Sequence, residues 1–387
     1  MSLEPSTNSS VSRFGSPVSV ILWGLGALGS RVVEALTGGV QDVVIAGAVD
    51  DAPALAGQAL GDVFPSARGL NVTIAPDLDS CLAGLARPAD VVFHMTESVL
   101  PAIQPQLEHA LARRLNVISA AESMFHPSLR HPEIAESLDR VAVTHGMSIT
   151  GCGINPGFVF DALVLAAARV STSISRITTS RVIDVTGTGP HDIDHVGFGL
   201  WPKDFEEKIA SGRVVGHMGM PESIAAVAEH VGLSIDRIAQ RWETATADFA
   251  VDSTIGLLEP GRVIGISQYG TGYDREQEVI QMRLVMYYDP ARHGLAEVDD
   301  VVIEGSHRVH LTTQPAAVSI QGAGLMMINA ARDIVEAPPG LRSILTFSMG
   351  GCYRGGFRLV ADPNHAPLPH TTRLAAISAS QPAWARP

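Results

Sequence analysis

Short runs of β-branched residues alternate with amphipathic segments from residue 18 to about residue 150. The runs cover residues 18–23, 43–49, 72–74, 91–95, 117–119 and 148–150, and the amphipathic segments include residues 27–36, 78–86 and 101–114. Near-continuously apolar strands that alternate with helices are typical of a parallel sheet with helices on both faces. Because crossovers between parallel strands are right-handed, the pattern predicts a doubly wound α/β sheet of the Rossmann type.

The pattern changes after Pro156. A predicted helix over residues 158–170 is followed by alternating strands over residues 176–186, 243–253, 262–268, 278–288 and 301–311. In the clearest of these strands, one face carries Ile280, Met282, Leu284, Met286 and Tyr288. Alternation with a period of two indicates strands with one buried face. The sequence therefore predicts a second, α+β domain with a largely antiparallel sheet.

A last helix is predicted from Pro315, and its apolar stripe is Ile320, Gly324, Met327, Ile328, Ala331 and Ile334. It ends at the Ala-Pro-Pro-Gly stop of residues 337–340. A chain of 387 residues is too long for one ordinary core. We predict a flexible arm at 1–16, a Rossmann domain at 17–155, a substrate and dimerisation domain at 156–314, a helix at 315–341 that returns to the Rossmann domain, and a mostly disordered tail at 350–387.

Composition narrows the class of protein. The net charge of −13 argues against nucleic acid and anionic membranes as partners, since both bind clustered Lys and Arg. The longest apolar run, residues 162–168, is far shorter than a membrane span, and the N-terminal residues lack the apolar core of a signal peptide. Cys81, Cys152 and Cys352 are few and far apart, which favours a reducing cytoplasm. We expect a cytoplasmic protein whose partners are small molecules.

The first predicted strand runs directly into a GxGxxG segment and then a helix, the context in which that motif binds a dinucleotide pyrophosphate. The cofactor-binding residues predicted there are Gly24, Leu25, Gly26, Ala27, Leu28 and Gly29. Asp50 ends the second strand, 21 residues after Gly29, where a carboxylate accepts hydrogen bonds from the adenosine ribose. Asp50 and Asp51 would repel the 2′-phosphate of NADP, whereas Arg31 would partly offset that repulsion. We predict NAD as the cofactor, with NADP left open.

Ligands of an open parallel sheet bind beyond the carboxyl ends of its strands. Thr96 and Glu97, Ala120 and Glu122, and Asn155 lie at three such ends. We expect Thr96, Ala120 and Asn155 to contact the cofactor, although Asn-Pro-Gly is also an ordinary turn. Glu122 has an alternative role as a cap for its loop, and Glu97 fits the first turn of a helix better than catalysis.

Four segments resemble the 2,4-diaminopentanoate dehydrogenase family, which includes native amine dehydrogenases and is distantly related to dihydrodipicolinate reductase. They are residues 116–122 (NVISAAE), 150–158 (TGCGINPGF), 215–224 (VGHMGMPESI) and 337–341 (APPGL). The resemblance covers roughly residues 18–341. It implies reversible oxidative deamination, in which an amine, NAD(P)⁺ and water give a carbonyl, ammonia and NAD(P)H. It also implies that Glu122 is the catalytic residue, which exchanges a proton and stabilises the iminium cation.

The lysines agree with a carboxylate mechanism. Amino-acid dehydrogenases of the glutamate type use active-site lysines, but Lys203 and Lys208 are the only lysines here. Both fall in residues 202–209, which the sequence predicts to be an exposed amphipathic helix. Cys152 offers an alternative nucleophile, although a buried inert thiol is the simpler interpretation.

The substrate contacts are less defined. Arg181 could pair with a substrate carboxylate or be a solvated arginine on a strand face, and Asn155 and His217 are further candidates. Glu222 stands in the same motif as His217, but Pro221-Glu222-Ser223 is also an ordinary helix start. The histidines show no metal-binding spacing, so no metal is expected.

Two other functions stay open at this point. One is a reductase of cyclic imines or enamines similar to dihydrodipicolinate reductase, although that family's His-His-x-x-Lys run is absent from this sequence. The other is a protein that binds a dinucleotide without turnover. The freer face of the second sheet makes a homodimer the expected assembly.

Overall fold

A computed structural model describes residues 17–40, 42–186, 196–211, 214, 216–254 and 256–348. The arm predicted at 1–16 and the tail predicted at 350–387 lie outside these residues. No helix in the described ranges is long and apolar enough to cross a membrane.

Residues 18–151, together with a late strand at residues 340–343, form a seven-stranded sheet in which every pairing is parallel. Its strands are β1 (Val18–Trp23), β2 (Val43–Val49), β3 (Ile74–Ala75), β4 (Val91–His94), β5 (Asn116–Ser119), β6 (Ser148–Gly151) and β15 (Gly340–Ser343). The order β15-β6-β5-β4-β1-β2-β3 contains the 3-2-1-4-5-6 order of doubly wound dinucleotide-binding sheets. The predicted Rossmann fold class is confirmed.

Helices cover both faces of this sheet. They are α1 (Ala27–Thr37), α2 (Leu60–Val63), α3 (Leu78–Ala83), α4 (Leu100–Ala112), α5 (Pro132–His145) and α9 (Ile320–Glu336). The late helix α9 packs against α1, and a Cβ at Gly324 would lie 3.0 Å from Val32 Cγ2. Met327 and Ile328 join Val32 in the same buried cluster. The chain then adds β15 beside β6, a strand that the sequence did not predict.

The helix predicted at 158–170 begins differently from the prediction. Phe158–Ala162 form a π-helical turn, and only Leu163–Ala168, helix α6, are α-helical. The buried Asp161 side chain accepts a hydrogen bond from the Gly157 N–H at 2.7 Å, so a side chain takes a donor at the start of the turn. Such wide turns arise where the regular backbone ladder is interrupted.

The second sheet has six strands in the order β14-β13-β7-β12-β11-β8. They are β7 (Ile174–Asp184), β8 (Arg237–Thr246), β11 (Val263–Asp274), β12 (Gln277–Tyr287), β13 (Val298–Gly305) and β14 (Val309–Thr313), while β9 (Val251–Ser253) and β10 (Gly256–Leu258) pair separately. Only β7 and β12 pair in parallel, so the sheet is largely antiparallel as predicted. The single strand predicted at 301–311 is instead the hairpin β13–β14, because the chain turns after Gly305.

Two helices accompany this sheet, α7 (Pro202–Ala210) and α8 (Met220–Val231). Helix α8 packs on the inner face, where the missing side chains of Gly270 and Gly272 leave room for Met220 and Ile224. Ile280, Met282 and Leu284 of β12 are fully buried beneath it. The carboxyl edge of the parallel sheet and this inner face border one cleft.

Candidate active site

The three glycines of the loop between β1 and α1 have three different surroundings. Gly24 has φ +97°, and a Cβ there would lie 2.5 Å from the Met95 oxygen. A Cβ at Gly29 would lie 2.2 Å from the Gly24 oxygen, whereas a Cβ at Gly26 would meet nothing within 4 Å. The loop is therefore tight at its first and third glycines and open at the second, where a pyrophosphate approaches in this motif.

The N-terminus of α1 is suited to an anion. Gly26 occupies the N-cap position and no side chain caps the helix, so its first N–H groups remain available to phosphate oxygens. Its first turn carries no acidic residue. The residues present thus fit a dinucleotide, with Leu25, Ala27 and Leu28 contributing the surrounding backbone.

Asp50 lies immediately after β2 and holds the glycine loop. Its Oδ2 accepts a hydrogen bond from the Leu25 N–H at 2.8 Å, and its Oδ1 accepts one from the Ala52 N–H at 3.0 Å. Each oxygen keeps a second lone pair for a ribose hydroxyl. Arg31 forms an exposed ion pair with Glu34 at 2.8 Å. Glu34 therefore partly neutralises the charge that Arg31 could offer to a cofactor phosphate.

A cleft of about 410 Å³ runs from the glycine loop to the inner face of the second sheet. It brings together most of the residues predicted for the site, namely Ala27, Leu28, Thr96, Ala120, Glu122, Asn155, Arg181 and His217. Glu97 also lines it, although the Glu97 side chain is exposed and accepts a hydrogen bond from the Ser98 N–H. Lys203 and Lys208 lie on α7 and do not line the cleft.

Glu122 opens the short 3₁₀ turn that follows β5, and its carboxylate faces His217. Glu122 Oε1 lies 3.5 Å from His217 Nε2, and both side chains are about three-quarters buried. His217 comes from the loop before α8, so the pair joins the two halves of the molecule across the cleft. This distance is slightly longer than a hydrogen bond and leaves room for adjustment when a ligand binds.

The other atoms of His217 are firmly held. Its backbone N–H donates to Gln268 Oε1 at 2.8 Å, and Gln268 Nε2 donates to the His217 carbonyl at 2.9 Å. His217 Nδ1 lies 2.5 Å from the Met218 oxygen, and a carbonyl only accepts, so Nδ1 carries a proton. Burial lowers the pKa of His217 to about 4. The neutral ring therefore presents the Nε2 lone pair to Glu122.

Arg181 is not the solvated arginine that the sequence allowed. Its side chain is 1% exposed, and its Nη1 donates to both oxygens of Asp299, at 2.9 and 3.1 Å. Its Nη2 donates to the Ala317 oxygen and to Ser319 Oγ. Asp299 also accepts the Ala317 N–H at 2.7 Å. The pair fastens the segment that leads into α9 to the floor of the cleft.

A buried histidine supports the tip of β4. His94 Nε2 lies 2.8 Å from Gln106 Oε1 and 3.0 Å from Thr96 Oγ1, and burial lowers the His94 pKa to about 4. Thr96 Oγ1 also donates to Gln106 at 2.8 Å. The neutral imidazole therefore holds Thr96 in place at the edge of the cofactor side of the cleft.

Two other candidates, Cys152 and Glu222, are buried. Burial raises the pKa of the Cys152 thiol to about 12, so the thiolate needed for a nucleophile is strongly disfavoured. Glu222 lies in the first turn of α8, as the sequence indicated, and it is 2% exposed and pairs with Arg130 of the Rossmann half. Within the described ranges, no group of three or more His, Cys, Asp or Glu could hold a metal ion.

The sequence did not identify the apolar wall of the cleft or the partners of Arg181 and His217. The wall consists of Ile183, Val185, Val196, Phe198 and Met286. Period-two alternation did place Met286 on an inward face. Asp299 and Gln268 gave no signal, because their roles depend on which strands become neighbours.

The fold and the candidate site define a dinucleotide-dependent oxidoreductase with a cleft between its two sheets. The 2,4-diaminopentanoate dehydrogenase C-terminal domain family matches residues 158–362, just over half of the chain. The chain belongs to this family, as its sequence motifs indicated.

Similar proteins agree with this assignment over nearly their whole length. The chain is 29% identical over 348 residues to the 2,4-diaminopentanoate dehydrogenase of Acetoanaerobium sticklandii, covering 88% of this chain and 96% of the relative. It is 24% identical over 355 residues to an amine dehydrogenase of Streptomyces virginiae, covering 85% and 95%. The structure of an amine dehydrogenase from Mycobacterium smegmatis has the same fold, with a TM-score of 0.77, 23% identity and coverage of 89% and 99%.

Proposed function

We propose that the protein is an NAD(P)-dependent amine dehydrogenase that catalyses reversible oxidative deamination. In the forward direction R₂CH–NH₃⁺, NAD(P)⁺ and water give R₂C=O, NH₄⁺, NAD(P)H and a proton. The observation that carries the proposal is the Glu122–His217 pair, 3.5 Å apart, in the cleft that begins at the glycine loop. A carboxylate there can attract a cationic nitrogen, and a neutral imidazole beside it can accept a proton.

When bound, the nicotinamide would accept or donate the hydride, and the glycine loop, Asp50, Thr96, Ala120 and Asn155 would hold the dinucleotide. Glu122 takes a proton from the substrate ammonium, which frees the nitrogen lone pair to stabilise the adjacent carbon as it is oxidised. Glu122 passes this proton to His217 Nε2 while the His217 Nδ1–H stays bonded to Met218, so the ring does not need to rotate, and His217 releases the proton to solvent. The regenerated carboxylate stabilises the iminium by charge and accepts a proton from the attacking water, which it returns to the nitrogen as ammonium leaves.

The charges of the residues near the adenosine ribose favour NAD over NADP. Asp50 and Asp51 place two carboxylates beside the position of the adenosine ribose, and Arg31 is already paired with Glu34. A 2′-phosphate would meet this negative charge without a fully available cation, whereas ribose hydroxyls would donate to Asp50. We therefore propose NAD as the preferred cofactor, with NADP as a weaker substitute.

A direct test follows NADH absorbance with a panel of small ketones in the presence and absence of ammonium. An amine dehydrogenase consumes NADH only when both the ketone and ammonium are present. A reductase of cyclic imines consumes NADH with a preformed imine and needs no ammonium. A protein that binds dinucleotide without turnover consumes none in either assay, and either of these results would reject the proposal.

We also propose a homodimer formed through the outer face of the second sheet. That face carries Arg241 stacked over Tyr269 at 3.6 Å and Arg237 over Tyr273 at 3.8 Å. Tyrosine and arginine are enriched in protein interfaces. Sedimentation velocity would test this assembly.

We propose a cytoplasmic location, which fits the two described cysteines, Cys81 and Cys152, because both are free thiols.

A further inference from the structure

The charge of Arg181 is neutralised at the floor of the substrate cleft. Both oxygens of Asp299 accept from Arg181 Nη1, and the two side chains are 1% and 0% exposed. Arg181 Nη1 is therefore occupied by both oxygens of a carboxylate of this chain, and Nη2 is occupied by the Ala317 oxygen and Ser319 Oγ. Both terminal nitrogens are thus already engaged, whereas an arginine that binds a substrate carboxylate bidentately needs two available donors. Pulling the pair apart would leave a buried charge without its partner, which is strongly unfavourable.

The described lining of the cleft offers a substrate carboxylate no unpaired cation. Arg181 is paired with Asp299, and His217 is neutral because burial lowers its pKa. A carboxylate in the described part of the cleft would therefore lose its hydration without gaining a cation.

The remaining wall favours hydrocarbon. Ile183 lies on β7, Val185 follows the end of that strand, and Met286 lies on β12; Phe198 lines the same cleft. Val185, Phe198 and Met286 are at most 6% exposed, so they form a fixed apolar surface in the cleft that also holds the Glu122–His217 pair. An alkyl substituent packed on such a surface is stabilised because its apolar area is removed from water.

From these observations we infer that the substrate is an amine with an uncharged alkyl substituent and no carboxylate, and that Asp299 determines this specificity by occupying Arg181. The inference rests on the proposed amine dehydrogenase function. It separates this protein from the substrate in the name of its 29% identical relative, because 2,4-diaminopentanoate carries a carboxylate. Asp299 acts through Arg181 and touches no reacting atom, so it is a positioning residue.

The test compares two ketones of the same shape, 4-oxopentanoate and 5-methylhexan-2-one, in which an isopropyl group replaces the carboxylate. Each is assayed with ammonium and NADH for kcat/KM at pH 8. The wild-type protein should use the uncharged ketone with a kcat/KM at least tenfold higher. A higher kcat/KM for 4-oxopentanoate would overturn the inference and leave the proposed function intact, while turnover of neither ketone would reject both.

Asp299→Asn tests the positioning role. The amide keeps the size and one acceptor oxygen but removes the charge, so the Arg181 guanidinium becomes available to a carboxylate. The preference for 5-methylhexan-2-one should fall by tenfold or more, mainly through a lower KM for 4-oxopentanoate. The matched control is Asp300→Asn on the same strand, whose carboxylate bonds Thr312 and His310 on the other face of the sheet.

The outcomes separate specificity from simple loss of structure. Asp300→Asn should keep the wild-type ratio of the two ketones. If Asp299→Asn lowers kcat for both ketones equally and leaves their ratio unchanged, Asp299 is only structural and the inference is wrong. If Asp299→Asn does not fold, the wild-type comparison and Arg181→Met decide the question, because Arg181→Met should retain the preference for the uncharged ketone.

Discussion

His217 faces Glu122 with a lone pair and not with a proton. Its Nδ1 donates to the Met218 oxygen at 2.5 Å, and its Nε2 lies 3.5 Å from Glu122 Oε1. Two acceptors that face each other at this distance hold a proton, a water molecule or a substrate N–H between them. The pair is thus arranged to receive a donor, which is what an ammonium substrate or an attacking water supplies.

His217→Asn tests the role of this lone pair. The asparagine amide can still donate to Met218, but it places no basic nitrogen near Glu122. We expect kcat to fall by roughly 10²-fold, the low end of general acid–base effects, with a change of less than about threefold in NADH affinity. Because burial keeps His217 neutral above about pH 4, the wild-type kcat/KM profile should show no His217 titration between pH 5 and 8. A His217→Asn enzyme with wild-type kcat would exclude the relay.

Alanine substitutions at Gly26 and Gly29 test separately whether the glycine loop contacts the cofactor and whether it is tightly packed. A Cβ at Gly26 meets no protein atom, so Gly26→Ala should fold with nearly unchanged Tm but bind NADH at least tenfold more weakly. A Cβ at Gly29 would overlap the Gly24 oxygen, so Gly29→Ala should destabilise the fold by about 1–3 kcal/mol. Thermal unfolding and NADH fluorescence titration measure both effects. Equal NADH affinity in Gly26→Ala and the wild type would remove the pyrophosphate from this loop.

Asp50→Ala should weaken NAD⁺ binding more than NADP⁺ binding. The substitution removes the acceptor for the ribose hydroxyls and releases the Leu25 N–H, and each charge-assisted bond lost costs about 1.5–3 kcal/mol. The ratio of kcat/KM for NAD⁺ to that for NADP⁺ should fall by at least tenfold. Asp51→Ala is the control, since Asp51 is exposed, and it should change the KM for NAD⁺ by less than about twofold. An unchanged ratio in Asp50→Ala would place the ribose elsewhere.

Asp161 makes the free energy of unfolding depend on pH. Burial raises its pKa from 3.8 to about 7, so the folded state keeps a proton that the unfolded state releases. Stability from this group is present below pH 3.8 and is lost as the pH rises towards 7, by about 1.4 kcal/mol for each pH unit and roughly 4 kcal/mol in all.

Asp161→Asn removes this titration and keeps an acceptor for the Gly157 N–H. Relative to the wild type, its free energy of unfolding should therefore be higher at pH 8 than at pH 4.5. Urea unfolding at the two pH values measures the difference. A difference between variant and wild type that is the same at both pH values would show that Asp161 is ionised in the folded protein.

The elements that the sequence predicted well are those whose signals are local. The strand, glycine loop and helix from Val18 to Thr37 follow from neighbouring residues, and the inward face of β12 follows from alternation. Strand β15 was missed because Gly-Leu-Arg-Ser has no strand pattern and becomes a strand only beside the open edge of β6. The position of Glu122 at the cleft was also predictable, because Glu122 follows the carboxyl end of β5 and the carboxyl ends of parallel strands share one edge of the sheet.

The remainder of the site depends on pairings that no local pattern encodes. Arg181 and Asp299 are 118 residues apart and meet only because β7 and β13 are adjacent in a register that sets them opposite each other. His217 became a candidate through family resemblance, and its distance from Glu122 follows from the docking of α8 against Gly270 and Gly272. Partners fixed by register and docking are therefore visible in the structure and not in the sequence.

The account depends most on Glu122, and Glu122→Gln tests it directly. The amide keeps the size of the side chain but loses the charge and the basicity, so kcat with the best ketone and ammonium should fall by roughly 10²-fold or more. NADH affinity, measured by fluorescence titration, should stay within about twofold because the glycine loop and Asp50 hold the dinucleotide. Glu97→Gln changes the other carboxylate that lines the cleft and should keep kcat within about threefold. Near wild-type kcat in Glu122→Gln, or a loss of turnover in Glu97→Gln alone, would contradict the assignment of Glu122.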